Sequence, residues 1–144
     1  MKFMAHDFFT EQPVVGADVY YFRWILHDWS DKYCTRILKA LIPALKPGAR
    51  IVLSERCLEP PCTVSHAQEK WNRCVISLSG CFRMIVLTFG SRDSDITMMA
   101  VNNSQERDQE DWEELFRNVD SRLKIEEIKR MKGAKLDLIV VRWV

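Results

Sequence analysis

The chain has 144 residues, of which 47% are hydrophobic and 28% charged; this composition fits one globular domain and excludes a disordered chain. Its 21 basic and 20 acidic residues give a net charge of +1, so the charge balance predicts no nucleic-acid partner. The longest apolar stretch, residues 75–90, contains Arg83 and is too short for a comfortable membrane span. The first seven residues lack an apolar run, so we expect no signal peptide and a cytoplasmic location.

The cysteine pattern gives no sign of a metal site. The five cysteines form no C-x-x-C pair, and the three histidines are not grouped near two of them. We therefore expect no metal, and free, mostly buried thiols. The cysteines are Cys34, Cys57, Cys62, Cys74 and Cys81.

The first half of the chain predicts alternating strands and helices. Residues 18–24 form a short apolar and aromatic run, typical of a strand buried on both faces. Ser30 is placed to cap a helix whose apolar residues recur at helical spacing from Cys34 to Leu45, and Pro43 should tighten its last turn. Residues 50–55 predict a second buried strand, so this half predicts a βαβ unit with parallel strands.

The C-terminal part predicts a helix followed by a hairpin. Asp108 and Asp111 have capping-box spacing ahead of an apolar stripe that begins at Trp112. Residues 123–128 and 136–144 resemble strands joined around Gly133, which indicates an antiparallel edge. The fold class is therefore α/β with a mixed sheet.

The residues that could carry chemistry concentrate at the ends of the two predicted parallel strands. His27 lies just beyond the first strand, at the sheet edge where open α/β folds bind ligands, and is a candidate general base. Glu55 ends the second strand at the same edge and could orient the imidazole. The alternatives are a surface histidine beside a helix cap and a solvated strand-end glutamate. Glu106 lies in a polar loop, a context that more often indicates a turn.

These segments together resemble the plant- and fungal-type O-methyltransferases that depend on S-adenosylmethionine (SAM), the class that includes caffeate O-methyltransferase. The sequence around Phe8 and Pro13 is similar to that of the fungal branch, whose members mostly serve secondary metabolism. The resemblance covers the chain apart from part of its middle. It rests on residues 7–9, 16–20, 23–31, 43–48, 50–55, 95–99 and 106–107.

The resemblance implies a role for particular residues. His27 matches the family's catalytic base, which takes the proton from a phenolic or polyketide-type hydroxyl, and Glu55 and Glu106 match the two carboxylates beside that base. The remaining matches are Asp7, Phe8 and Arg23 for binding the SAM cofactor, and Trp24, Met98 and Asn102 for the substrate pocket. No metal is expected in this class.

Two departures from the family pattern stand out. The chain has no G-x-G-x-x-G loop and no acid placed to hold the cofactor's ribose. The resemblance therefore implies the C-terminal half of a Rossmann-like domain, without the family's N-terminal dimerisation domain and first βαβ units. The full-length family is expected to form homodimers.

The second departure lies in the middle of the chain. The stretch from Glu55 to Asp95 is longer than the family's, and residues 74–94 are apolar and aperiodic. We interpret them as a translated, unspliced intron; the alternative is a genuine insertion.

Two functions fit these observations. One is a SAM-dependent O-methyltransferase, or the catalytic part of one. The other is a catalytically inactive half-domain that acts, if at all, by binding a partner.

Overall fold

Strands and helices alternate as predicted in the part of the chain that the structure describes. The structure is a computed structural model that describes residues 3–58, 99–100, 102–130 and 136–144. Short 3-10 turns at Leu26–Asp28 and Ile42–Ala44 flank the first helix. The longer elements are β1 (Val19–Arg23), α1 (Asp31–Leu41), β2 (Arg50–Glu55), α2 (Gln109–Val119), β3 (Leu123–Lys129) and β4 (Asp137–Trp143).

The described strands form one mixed sheet in the order β1-β2-β4-β3. β1 and β2 run parallel, with Val19 opposite Arg50 and Arg23 opposite Ser54. β4 pairs antiparallel with both β2 and β3, so the predicted mixed sheet with its antiparallel strand pair is confirmed. The predicted joint around Gly133 lies outside the described residues.

Both helices begin where the capping residues predict. Ser30 precedes α1, and its backbone carbonyl, rather than its hydroxyl, accepts from the first-turn N–H groups. Pro43 lies in the 3-10 turn that follows α1, which confirms the tightened last turn. Asp108 and Asp111 form the predicted capping box of α2, each side chain accepting a bond from the other's backbone N–H.

The apolar stripes of α1 and α2 pack with the sheet in one core. The prediction that the first strand is buried on both faces was wrong, because the side chains of Val19 and Tyr21 are 51% and 58% exposed. Alternation along the strand places Tyr20 and Phe22 on the core side and leaves their neighbours on the other. The Tyr20 hydroxyl also lies 2.9 Å from Val14 O and 2.8 Å from Ala44 O, and it can donate its proton to either carbonyl.

The two described cysteines are free and buried, as predicted. Burial raises the pKa of both Cys34 and Cys57 to about 11. Among the described residues, no helix is long and apolar enough to cross a membrane, and no group of three potential ligands could hold a metal ion. Residues 74–94, interpreted above as an inserted segment, lie outside the described part.

Candidate active site

The carboxyl ends of β1 and β2 bring His27 and Glu55 together. The chain leaves β1 through Trp24, which has a left-handed φ of +53° and donates its N–H to Ser54 O at 3.2 Å. A bulky aromatic residue rarely adopts this conformation, so the turn is locally strained. The 3-10 turn that follows places His27 over the end of β2, whose last residue is Glu55.

Glu55 is held rigidly and in turn holds the imidazole. Its carboxylate is fully buried, and one oxygen accepts the backbone N–H groups of Ile25 and Leu26 at 2.8 and 2.9 Å. The other oxygen lies 3.1 Å from His27 Nδ1. An ionised carboxylate can only accept, so Nδ1 carries the proton of this contact. This tautomer assigns the proton-accepting role to Nε2.

Three carboxylates influence the proton on His27. Burial alone would lower the pKa of this imidazole, but the hydrogen bond and charge of Glu55, with the charges of Asp28 and Glu106, raise it above its ordinary value. Asp28 Oδ1 lies 3.2 Å from His27 Nε2. Glu106 is buried, at 4% exposure. The acidic surroundings therefore favour the charged imidazolium.

Two of the three predicted substrate residues lie beside His27. The rings of Trp24 and His27 meet edge to face, with 4.5 Å between centroids. The amide of Asn102 donates to Asp28 Oδ1 at 2.9 Å, so it shares the carboxylate oxygen that contacts His27. Met98 lies outside the described residues.

The predicted cofactor residues occupy the neighbouring surface. Phe8 and Phe9 are half-buried and pack against Trp29, with ring centroids 4.9–6.0 Å apart. Asp7 is exposed and accepts the N–H of Phe9 at 3.0 Å, and Arg23 is exposed at the end of β1. A cavity of about 590 Å³ lies beside these rings, and none of the three predicted cofactor residues is among the described residues that line it. Its lining residues are Phe9, Asp28, Trp29, Ser30, Tyr33, Arg36, Asn102 and Asn103.

The chain matches a known protein family. Residues 1–120 match the family model described as an O-methyltransferase domain. The chain belongs to this family. This match confirms the family resemblance stated above, and the mixed sheet confirms the α/β fold class.

Fungal proteins are among the relatives of this O-methyltransferase domain. The chain is 43% identical over 143 residues to the grayanic acid biosynthesis cluster O-methyltransferase of Cladonia grayi, and 37% identical over 143 residues to a chlorophenol O-methyltransferase of Trichoderma longibrachiatum. Both matches cover 99% of this chain. The chain spans 27% of the length of each of these relatives.

A solved structure shares the fold. LepI in complex with SAM is 26% identical to this O-methyltransferase domain, with a TM-score of 0.71 over 98% of this chain and 30% of its own.

Some residues around the site were assigned no role from the sequence. Asp28 belongs to residues 23–31, which carry the family resemblance. Its contact with His27 Nε2 was not predicted, because adjacent residues rarely face each other. Arg107 adjoins Glu106, but no feature of the sequence indicates that its side chain is fully buried. A buried arginine must find several acceptors, so an arginine adjoining a candidate catalytic acid is the signal that could have found it.

Proposed function

We propose that this chain is the base-bearing part of a SAM-dependent O-methyltransferase that acts on a phenolic or polyketide-derived hydroxyl in secondary metabolism. The observation that carries the proposal is the buried contact of Glu55 Oε2 with His27 Nδ1, which leaves Nε2 as the proton acceptor. The chlorophenol substrate named for one relative supports the phenolic class. The family implies a small-molecule acceptor.

The described residues fit part of the cofactor. The rings of Phe8, Phe9 and Trp29 form an aromatic wall beside the cavity, which suits the apolar face of a purine. We propose that Asp7, Phe8 and Arg23 hold SAM here. When bound, SAM supplies an electrophilic methyl group.

The residues of this chain would then act on the acceptor's proton. In the reactive state, neutral His27 accepts the hydroxyl proton at Nε2 as the oxygen becomes nucleophilic, while Glu55 keeps the Nδ1 proton and stabilises the imidazolium that forms. The acceptor hydroxyl takes the place at Nε2 that Asp28 now holds, and Asn102 retains Asp28 by its own hydrogen bond. Trp24 offers an aromatic surface to a phenol ring beside the base.

The roles of His27 and Glu55 can be tested by methyl transfer. The purified chain is incubated with radiolabelled SAM and a panel of phenols, and label in the phenol is counted. His27→Gln should lower the rate by roughly 10²–10⁴-fold, the usual contribution of a general base. Glu55→Gln should lower it less, because a neutral amide can still orient the ring. His6→Gln, at an exposed histidine, is the matched control.

Two outcomes would count against the proposal. An unchanged rate in His27→Gln would remove this residue from the mechanism. No transfer by the wild-type chain, even at millimolar SAM, would favour an inactive half-domain that acts through a partner. We expect calorimetry to give SAM binding weaker than micromolar, because the sequence lacks the glycine-rich loop that holds such cofactors.

A further inference from the structure

A short segment from another part of the chain holds the backbone around His27. The Ser104 hydroxyl donates to His27 O. The Arg107 guanidinium donates from Nη1 to Leu26 O and from Nη2 to Trp29 O, both at 3.0 Å. Three carbonyls in a stretch of four residues are therefore bound by one segment, residues 104–107, which we call the clamp.

The side chain of Arg107 is buried and has several contacts besides those with the turn. Its side chain is fully buried, its Nη2 contacts Asp31 Oδ1 at 2.6 Å, and its guanidinium lies over the Trp112 ring at 5.2 Å. Its own carbonyl accepts the N–H of Leu58 at 2.9 Å, just beyond β2. A planar guanidinium can bind two carbonyls and a carboxylate through separate nitrogens held in one plane, whereas a lysine presents its three donors from a single nitrogen.

The clamp also carries Glu106, whose charge acts on His27. The contacts of Ser104 and Arg107 lie on either side of that glutamate in sequence, and their acceptors span His27 and Asp28. The segment that presents the second candidate carboxylate is thus the segment that fixes the backbone of the candidate base.

We propose that Arg107 and Ser104 are positioning residues for His27. They fix the 3-10 turn so that Nδ1 meets Glu55. This role rests on the proposed function of His27 as base, but it concerns the resting geometry of the chain.

The test is nuclear magnetic resonance of the isotope-labelled 144-residue chain without cofactor or acceptor. The readouts are the titration of the His27 ring, the exchange of its Nδ1–H with water and the proton contact between the Trp24 and His27 rings. The variants are Arg107→Lys, Arg107→Met and Ser104→Ala, with His27→Gln to assign the signals. A chain that transfers no methyl group still gives these readouts, so failure of the proposed function and failure of the clamp are distinguishable.

Arg122→Met is the matched control. Arg122 also lies over a tryptophan, Trp143, at 4.2 Å, and also pairs with an aspartate, Asp120, at 2.9 Å, but it binds no carbonyl of the turn. The Arg122→Met substitution therefore removes a ring contact and a carboxylate contact of the same kind and leaves the clamp unchanged.

In the folded clamp variants, we expect the pKa of His27 to fall and the Trp24–His27 contact to weaken. Exchange of Nδ1–H should be about tenfold faster, the population change that loss of one charge-assisted hydrogen bond permits. Arg122→Met should match the wild type. Folded Arg107→Lys and Ser104→Ala chains with wild-type His27 signals would overturn the proposal. Loss of the fold in all three variants would also overturn it, because the clamp would then serve stability alone.

Discussion

His27 is subject to opposing influences on its proton, and the balance sets when it can act as a base. Burial disfavours the charged ring, whereas Glu55, Asp28 and Glu106 favour it, and their sum raises its pKa above the ordinary value. A base with a raised pKa is stronger, but less of it is neutral at a given pH. We therefore expect the rate of methyl transfer to increase as the pH rises through the His27 pKa.

The same shift predicts a pH-dependent contribution to stability. Because the pKa of His27 is higher in the folded chain than in the unfolded one, its stabilisation is fully present below the unfolded value of 6.5 and is lost as pH rises through the folded pKa. The difference in free energy of unfolding between the wild type and His27→Gln, measured with urea, should shrink from pH 6 to pH 9. His6→Gln is the control. A difference that stays constant across this range would contradict the raised pKa.

At the scale of elements, local sequence signals predicted most of what the structure contains. The capping-type residues Ser30 and Asp108 predicted where α1 and α2 begin, and the apolar spacing predicted which helix faces are buried. These signals act between residues close in sequence. The exposure of Val19 and Tyr21 could not be predicted this way, since it depends on what covers that side of the sheet. The turn at Trp24 could not be predicted either, because a left-handed φ at tryptophan has no sequence signature.

The capping box of α2 gives a prediction at this scale. Asp108 accepts the N–H of Asp111 at 3.0 Å, and Asp111 accepts that of Asp108 at 3.1 Å. Asp108→Ala should lower the free energy of unfolding in urea by about 1 kcal/mol. Asp108→Asn keeps the accepting oxygen and should lower the free energy of unfolding by less. Equal stability of the two variants would show that the cap bond does not stabilise α2.

Only the part of the site that depends on strand pairing could be predicted from the sequence pattern. Parallel pairing of β1 and β2 brings His27 and Glu55 to one edge, and this followed from the βαβ pattern. Recognition of Glu106 needed the family resemblance, because a polar loop distant in sequence gives no sign of where it folds back. The hydrogen bonds of Arg107 to Leu26 and Trp29 connect parts of the chain about 80 positions apart, and no local pattern encodes them.

At the scale of the whole molecule, the outer edge of β1 is the feature with the clearest consequence. Within the described residues β1 pairs with β2 alone, at the end of the sheet order. Val19 and Tyr21 on this strand are more than half exposed, and Val14 and Val15 just before it are 50% and 72% exposed. A sheet edge with apolar side chains and open backbone groups favours pairing with another chain.

We therefore expect the isolated chain to self-associate through β1. Sedimentation velocity should show larger species increasing with protein concentration. Introducing Val19→Lys with Tyr21→Lys should shift the distribution towards the monomer, because charges on an edge strand oppose pairing. Val144→Lys changes an exposed apolar residue outside this edge, 60% exposed, and should leave the distribution unchanged. Association that persists equally in the double variant would assign it to another surface, and the β1 edge would then have to be covered in solution.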